Sequence, residues 1–231
     1  MRLHRFYVAQ PLGEDVVIDN DSHVSQWTKV FRYTKGNFVI LFNGDGHDYC
    51  YSIETISKKT ASLVRISTSP SYIPEHRIVL CMSLIKKDAF ELVVEKATEL
   101  GISSIIPIVT SRSEKKNLSF DRLTKIMQEA SEQCGRGDVP VIAPITPLKE
   151  VLEQLPKNAV PVTLTFDAKP LSEARTMLKT KDLYLFIGPE GGFGEEDLSI
   201  LRSHSSKEYS LGQTVLRAET AAIAAISVLV I

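Results

Sequence analysis

The apolar run Leu183-Tyr-Leu-Phe-Ile187 leads directly into Gly188-Pro-Glu-Gly-Gly-Phe-Gly194. An apolar run bounded by turn residues is typical of a buried strand, and glycines after it permit positive φ or close approach of a ligand to the main chain. A second glycine-containing segment follows, Ser210-Leu-Gly-Gln-Thr-Val-Leu-Arg-Ala-Glu-Thr220. The two loops predict a pocket built mainly from backbone N–H and C=O groups at the carboxyl ends of strands. Such a pocket suits a small polar ligand and therefore indicates an enzyme.

Around these loops the sequence alternates between strands and amphipathic helices. Strands are predicted over residues 77–84, 104–109, 159–166 and 183–187. Helices are predicted over residues 87–100, 119–134, 171–178, 194–203 and 219–231. Alternation of this kind is typical of an α/β domain with a largely parallel sheet.

The N-terminal part of the chain has a different pattern. Strands are predicted over residues 4–8, 37–42, 49–56 and 61–66, with a hairpin turn at Asn43-Gly-Asp-Gly46. One helix over 22–32 is expected to place Val24, Trp27, Val30 and Phe31 on one face. These elements predict a small β-barrel that carries one helix. Because residues 67–74 are rich in prolines and turn formers, the expected domains are 1–70 and 71–231.

Composition sets limits on the class of protein. Hydrophobic residues make up 43% of the chain and charged residues 24%, which is typical of a globular protein with a sizeable core. The net charge of -1 means that any affinity for RNA must come from a local basic face. Three separated cysteines predict neither disulfides nor a zinc site. With no signal peptide and no membrane-spanning apolar run, a cytoplasmic protein without a membrane partner is expected.

The glycine loops match neither common nucleotide motif. The first loop lacks the spacing of G-x-G-x-x-G and the Lys-Ser/Thr ending of a P-loop, which disfavours dinucleotides and triphosphates. An ordinary strand-to-helix turn remains the alternative for this loop, and simple helix capping by Glu219 or Thr220 remains the alternative for the second. The five histidines lack metal-ligand spacing, so no metal is predicted.

Several cations are candidates for binding a polyanion. Arg136, between two glycines, is expected to be exposed, either to a ligand or merely to solvent. A larger set of basic residues could together form a phosphate-contacting face. These residues are Lys29, Arg32, Lys35, Lys86, Lys87, Arg112, Lys115 and Lys116.

Eight segments spread along nearly the whole chain carry a resemblance to one family. They are His4-Arg-Phe-Tyr-Val8, Val30-Phe-Arg32, Phe42-Asn-Gly-Asp-Gly46, Glu95-Lys-Ala-Thr-Glu-Leu-Gly101, 107–113, Glu129-Ala-Ser-Glu-Gln-Cys-Gly-Arg136, Ile187-Gly-Pro-Glu-Gly-Gly192 and Leu211-Gly-Gln-Thr-Val-Leu-Arg-Ala-Glu-Thr-Ala221. In these segments the chain resembles the SPOUT-class methyltransferases that act on N3 of a uridine in 16S ribosomal RNA. Two positions depart from the usual pattern. Residues 27–32 read Trp-Thr-Lys-Val-Phe-Arg where the family usually has a histidine and Val-Leu-Arg, and Arg217-Ala218 replaces the more usual Arg-Thr.

The resemblance implies a fold and a set of binding residues. It implies a PUA-like RNA-binding barrel, an α/β domain with a trefoil knot, and a homodimer. It also implies that S-adenosyl-L-methionine is the cofactor. The implied cofactor-binding residues are Thr165, Phe166, Ile187, Gly188, Pro189, Glu190, Gly191, Gly192, Ser210, Leu211, Gly212, Val215 and Leu216.

The same resemblance suggests roles in the reaction and in RNA binding. Arg136 and Arg217 would stabilise charge on the uracil carbonyls or orient a phosphate. Glu190 or Glu219 would accept the proton, unless either only holds loop amides in place. The implied RNA contacts are Arg5, Lys29, Arg32, Lys86 and Arg112. The substrate would be 16S ribosomal RNA in the assembled small ribosomal subunit. Two alternatives remain open, a SPOUT enzyme that methylates ribose 2′-oxygen or tRNA, and a non-catalytic RNA-binding module.

Overall fold

A computed structural model describes residues 3–19, 21–113 and 117–231 and divides the chain into two compact units. The first unit comprises Met1–Ile73 and Ser131–Val139, and the second comprises Pro74–Ala130 and Pro140–Ile231. The boundary expected from the sequence lay between residues 70 and 71 and did not include the returning segment 131–139. Of the basic residues proposed above, Lys115 and Lys116 lie outside the described residues.

The first unit is built on a five-stranded sheet. Its strands are β1 Arg5–Tyr7, β2 Asp15–Ile18, β3 Phe38–Phe42, β4 His47–Ile56 and β5 Ala61–Pro70. Their order is β1-β3-β4-β5-β2, with β1 parallel to β3 and the other pairs antiparallel. The predicted hairpin turn joins β3 to β4, with Gly44 and Gly46 at φ values of 93° and 88°. β5 continues through residues 67–70, which the sequence predicted to be a turn region, and β2 was missed.

The predicted helix over 22–32 is wrong in its second half. The chain forms a short helix α1, Asp21–Ser25, followed by a π-helix, Gln26–Val30, in which the Phe31 amide donates to the Gln26 carbonyl at 3.1 Å. Hydrogen bonding over five residues changes the angular spacing of the side chains. Val24 and Trp27 are fully buried, as predicted, whereas Val30 is 68% exposed.

The second unit is an α/β domain with a parallel sheet, as predicted. Its strands are β6 Ile78–Ser83, β7 Ser104–Val109, β8 Val141–Ile142, β9 Thr146–Pro147, β10 Ala159–Pro170, β11 Asp182–Ile187 and β12 Lys207–Ser210. The order is β12-β10-β11-β6-β7-β8, and β9 also pairs with β7. Every ladder in this sheet is parallel. The short strands β8, β9 and β12 were not predicted.

Helices cover the parallel sheet. They are α2 Lys87–Glu99, α3 Phe120–Cys134, α4 Leu148–Glu153, the 3-10 helix Leu171–Lys179, α5 Glu195–Ser203 and α6 Ala218–Val230. All six residues of β6 are buried, which requires cover on both faces of the sheet. The segment after β10 is a 3-10 helix rather than the ordinary helix that was predicted, and α4 was missed. Within the described residues, no helix has both the length and the apolar character needed to cross a membrane.

Candidate functional site

A cavity in the second unit lies at the carboxyl ends of three neighbouring strands. Its volume is about 340 Å³, within the range of about 300–1,000 Å³ that is usual for small-molecule sites. Segments of β10, β11 and the loops after β11 and β12 line it, together with the start of α6. Because β10 pairs in parallel with both β11 and β12, the carboxyl ends of these three strands lie at one edge of the sheet.

The first wall of the cavity is an irregularity within β10. Leu164 and Lys169 both face Tyr209 of β12, so residues 165–168 leave the ladder. Leu164, Thr165 and Phe166 line the cavity as a result. The Thr165 hydroxyl is buried and has no hydrogen-bond partner among the described residues. A buried hydroxyl without a partner is costly, which favours a ligand with a polar group at this wall.

The second wall is the glycine loop, residues 188–194, that follows β11. The Gly192 amide donates to the Pro189 carbonyl at 2.8 Å, which closes a turn, and Gly192 has a φ of 67°. A Cβ on Gly188 would lie 3.1 Å from the Phe193 nitrogen and 3.3 Å from the Gly192 carbonyl carbon. A side chain at Gly188 would crowd the main chain, and the positive φ of Gly192 favours glycine there. The loop leaves main-chain groups along the cavity.

The third wall is the loop between β12 and α6. The Ser210 hydroxyl accepts a hydrogen bond from the Gly212 amide at 3.0 Å and donates to the Gly212 carbonyl at 3.1 Å. Gly212 has a φ of 119°, which only glycine adopts readily. Ser210 therefore shapes the loop, while the residues that follow it line the cavity.

The structure brings nearly all the predicted cofactor-binding residues together. Ser210 is the exception, since every other residue of that set lines the cavity. The sequence did not identify Leu164, Phe186, Phe193, Thr214, Ala218 and Ala221, which also line it. Phe193 adjoins Gly192, and Ala218 and Ala221 follow the second glycine loop, so adjacency to those motifs was the available signal.

Charged residues lie at the same edge of the sheet. Glu190 lines the cavity, and Lys86 and Arg112 follow the carboxyl ends of β6 and β7 with exposed side chains. The Arg112 Nη1 atom donates to the Gly191 carbonyl at 2.7 Å. Arg217 precedes α6; its side chain is 85% exposed and lies 4.0 Å from the Glu219 carboxylate. Three of the predicted cations therefore remain accessible at this edge.

The prediction that Arg136 is exposed is wrong. Arg136 lies in the first unit, is 2% exposed, and forms two 2.9 Å hydrogen bonds with the Asp138 carboxylate. Its backbone forms a bridge with Tyr72, and the neighbouring Gly137 amide donates to the Tyr72 carbonyl at 2.6 Å. These contacts explain why an arginine between two glycines is buried, and a buried guanidinium bound to Asp138 does not suit the catalytic role implied for Arg136.

Arg5, an implied RNA contact, is also buried in the first unit. Its guanidinium donates to both Asp48 carboxylate oxygens at 2.9 and 2.6 Å and to the carbonyls of Ser131 and Arg136 at 3.2 and 3.1 Å. It also lies 4.4 Å from the centre of the Phe42 ring. Because these donors are used inside the first unit, Arg5 stabilises the fold and does not present its charge to RNA.

The other two candidates in the first unit are exposed. Lys29 lies on the π-helix and Arg32 lies just after it. Arg32 has a φ of 54°, in the left-handed region that non-glycine residues seldom occupy. The two cations remain candidate phosphate contacts.

Comparison with known families gives matches over both parts of the chain. Residues 73–230 match the RNA methyltransferase domain model, and residues 28–64 match the RNA methyltransferase PUA domain model. The first match spans more than half of the sequence.

Individual proteins resemble the chain along most of its length. The ribosomal RNA small subunit methyltransferase E of Rickettsia conorii is 32% identical over 232 residues, covering 98% of this chain and 95% of that protein. The protein of the same name from Bacillus subtilis is 27% identical, covering 86% and 83%. A solved Legionella pneumophila protein, described as a methyltransferase with bound SAM, superposes with a TM-score of 0.87 at 28% identity and covers 99% of this chain and 97% of that one.

Proposed function

The chain belongs to the RNA methyltransferase family, and within it to the ribosomal RNA small subunit methyltransferases E. From this premise we propose that it transfers a methyl group from S-adenosylmethionine to N3 of a uridine in 16S ribosomal RNA. The observation that carries the proposal is the cavity formed by the β10 irregularity and the two glycine-containing loops. Assembled small ribosomal subunits are the proposed substrate.

The residues around the cavity fit S-adenosylmethionine chemically. Apolar side chains, including Ile187, Leu211 and Leu216, suit an adenine ring, and the glycine loop provides main-chain groups for the polar parts. The buried Thr165 hydroxyl, which has no hydrogen-bond partner within the described part of the chain, is the candidate partner for a ribose or amino group of the cofactor. When bound, the cofactor supplies a methyl group activated by the adjacent sulfonium. The residues of the chain bind, orient and shield it.

The target atom requires help from the protein, because N3 of a neutral uridine carries a proton and is a poor nucleophile. Holding the reactants in line supplies up to about 7–11 kcal/mol of the barrier. Glu190 lines the cavity and is the candidate acceptor for the N3 proton. Arg217, exposed beside α6, is the candidate group for negative charge on the uracil carbonyls.

We assign RNA contacts to the exposed cations on each unit. Lys86 and Arg112 on the second unit and Lys29 and Arg32 on the first are accessible to phosphates. With a net charge of only -1 for the whole chain, such local groups must supply the electrostatic attraction. Neutralising each one should weaken binding and reduce its dependence on salt.

The trefoil knot, the homodimer and a cytoplasmic location are proposals that follow from the same family membership. Exposed apolar side chains support the homodimer, because Phe166 and Val215 line the cavity yet are 58% and 84% exposed. A second subunit over this rim would cover them. Analytical ultracentrifugation tests this, and a monomer at micromolar concentration would contradict it.

Two measurements test the function. Deletion of the gene should remove 3-methyluridine from 16S ribosomal RNA, and the purified protein should restore it on isolated small subunits. Loss of a 2′-O-methyl group or a tRNA modification instead would indicate a different SPOUT activity. Calorimetry with S-adenosylmethionine tests the third possibility, since a non-catalytic RNA-binding module need not bind it.

A further inference from the structure

A turn after β7 packs against the glycine loop, residues 188–194, that forms the second wall of the cavity. Within this turn the Ser113 amide donates to the Thr110 carbonyl at 3.1 Å, and the Thr110 amide donates to the Ser113 hydroxyl at 3.0 Å. The two hydroxyls also lie 2.8 Å apart. These bonds fix the intervening Ser111 and Arg112 relative to the end of β7. We call residues 110–113 the β7 turn.

Asp197 joins the β7 turn to the far end of the glycine loop. The Ser111 hydroxyl donates to the Asp197 carboxylate at 2.6 Å, and the Ser111 amide lies 3.2 Å from both carboxylate oxygens. The Gly194 amide donates to the same carboxylate at 2.9 Å. Asp197 is only 5% exposed, so these donors replace the water that an acidic side chain normally keeps.

Arg112 joins the same turn to the middle of the glycine loop. Its Nη1 atom donates to the Gly191 carbonyl at 2.7 Å, next to the turn that the Gly192 amide closes on Pro189. The fit at the far end is close, because a Cβ on Gly194 would lie 2.4 Å from the Ser111 hydroxyl oxygen. The β7 turn therefore holds the loop at two points: directly at the Gly191 carbonyl, and through the Asp197 carboxylate at the Gly194 amide.

We propose that Asp197 is a positioning residue for the methyltransferase reaction, which acts by fixing the glycine loop against the β7 turn in its binding conformation. The proposal rests on the proposed function, because the loop is assigned there to the cofactor. Asp197 lines no part of the cavity itself, so its effect reaches the ligand only through the loop. Arg112 has the same role at Gly191 in addition to any contact with RNA.

Capping of α5 is the simpler role that the test must separate from this one. Asp197 lies in the first turn of α5 with Glu195 and Glu196, and all three carboxylates interact favourably with the helix dipole. Glu196 is exposed, so Glu196→Gln is the matched control. It removes one charge from the same helical turn without touching the β7 turn.

The first test needs no cofactor. Amide hydrogen exchange is measured for residues 188–194 in the wild type, Asp197→Asn, Glu196→Gln and Ser111→Ala. We expect Asp197→Asn to accelerate exchange in the loop at least about tenfold, equal to about 1.4 kcal/mol of lost protection. Ser111→Ala should accelerate it less, since the Ser111 amide still donates, and Glu196→Gln should leave it unchanged. Unchanged exchange in Asp197→Asn and in Ser111→Ala would overturn the proposal.

The second test measures S-adenosylmethionine affinity by calorimetry. Asp197→Asn should raise the Kd at least about tenfold, and Glu196→Gln should leave the Kd within about twofold of the wild type. The double variant Asp197→Asn/Ser111→Ala should bind no more weakly than Asp197→Asn alone.

A lower melting temperature of Asp197→Asn with an unchanged Kd would mean that Asp197 only caps α5. If the wild type failed to bind the cofactor, the proposed function would be wrong, while the exchange experiment would still decide the role of Asp197 in the loop. Ser111→Ala keeps both tests decisive if Asp197→Asn fails to fold.

Discussion

At the level of single residues, Gly188 is a position where an added side chain would meet main-chain atoms. The nearest atoms to a Cβ there belong to the main chain of Phe193 and Gly192, at 3.1 and 3.3 Å, and main chain cannot rotate away as a side chain can. Even a methyl group must therefore displace the loop that lines the cavity.

Gly188→Ala is expected to weaken S-adenosylmethionine binding at least about tenfold while the sheet stays folded, because strain of about 1–3 kcal/mol falls on the binding loop. Calorimetry measures the affinity, and circular dichroism checks the fold. Gly13→Ala is the control, because its Cβ would make only an ordinary 3.5 Å contact with the Asp15 carbonyl. Equal Kd values for both variants and the wild type would contradict the prediction.

His23 makes the stability of the first unit depend on pH. Burial lowers the pKa of His23 below its usual 6.5, although its hydrogen bond to the Tyr7 carbonyl acts in the opposite direction. The unfolded chain therefore binds a proton more readily than the folded unit does. The contribution of His23 to stability is complete above about pH 6.5 and is lost as the pH falls from there towards the folded-state pKa.

We expect the urea midpoint of the first unit to be lower at pH 5.5 than at pH 7.5. The substitution His23→Gln should reduce this difference in the midpoint. Trp27 is a convenient probe, since it is the only tryptophan in the chain and its ring stacks on His23 with centroids 6.2 Å apart. If the urea midpoints of the wild type and of His23→Gln changed equally with pH, another group would cause the pH dependence.

At the scale of elements, two valines that were predicted on one helix face have different environments. Val24 is fully buried in α1, whereas Val30, at the end of the π-helix, is 68% exposed. The hydrogen bond from Phe31 to Gln26 shows that the ordinary helix predicted here does not continue to Val30.

Val24→Ala should lower the free energy of unfolding of the first unit by about 2 kcal/mol, because it removes buried methyl groups and leaves a cavity. Val30→Ala is the matched control and should change it by less than about 0.5 kcal/mol. Urea unfolding followed by Trp27 fluorescence measures both. Equal effects would mean that the two valines share one environment.

The elements that were predicted well are those whose own residues carry a strong signal. β6, β7 and β11 are apolar runs next to glycine or polar breaks, and the amphipathic helix α2 ends before Gly101, which has a φ of 89°. β8 and β9 contain two residues each, too few to establish any periodicity. The 3-10 geometry after β10 depends on tertiary packing and has no distinct pattern in the sequence.

The predictable parts of the candidate site are likewise those whose own sequence carries the signal. The two glycine loops meet this condition, and the residues implied there line the cavity, apart from Ser210. The burial of Arg5 depends on Asp48 and on the carbonyls of Ser131 and Arg136, and the burial of Arg136 accompanies its bridge to Tyr72. These contacts join distant parts of the chain, so no local pattern predicts them.

At the scale of the whole molecule, the first unit is discontinuous. Residues 131–139 supply the Ser131 and Arg136 carbonyls to Arg5, and the Glu132 carboxylate accepts from the Tyr7 amide at 2.9 Å. Without this segment, several buried donors lose their acceptors, which costs about 1–3 kcal/mol for each. Few small domains have stability enough to tolerate that loss.

A fragment of residues 1–73 is therefore expected not to unfold cooperatively. Urea titration with Trp27 fluorescence measures this, together with the dispersion of amide resonances. The same fragment joined through a flexible linker to residues 131–139 should recover a cooperative transition. If residues 1–73 alone unfolded at the midpoint of the first unit in the full chain, the returning segment would be dispensable.

The late arrival of segment 131–139 has a consequence for biosynthesis. A nascent chain emerges from the ribosome N-terminus first. Strands β1 to β5 therefore emerge well before Arg136, which forms the backbone bridge with Tyr72, has been made. At about 5–20 residues per second, translation of residues 74–139 takes roughly 3–13 s. During that interval the Arg5 guanidinium lacks two of its acceptors, the carbonyls of Ser131 and Arg136. The incomplete first unit is then accessible to chaperones and proteases.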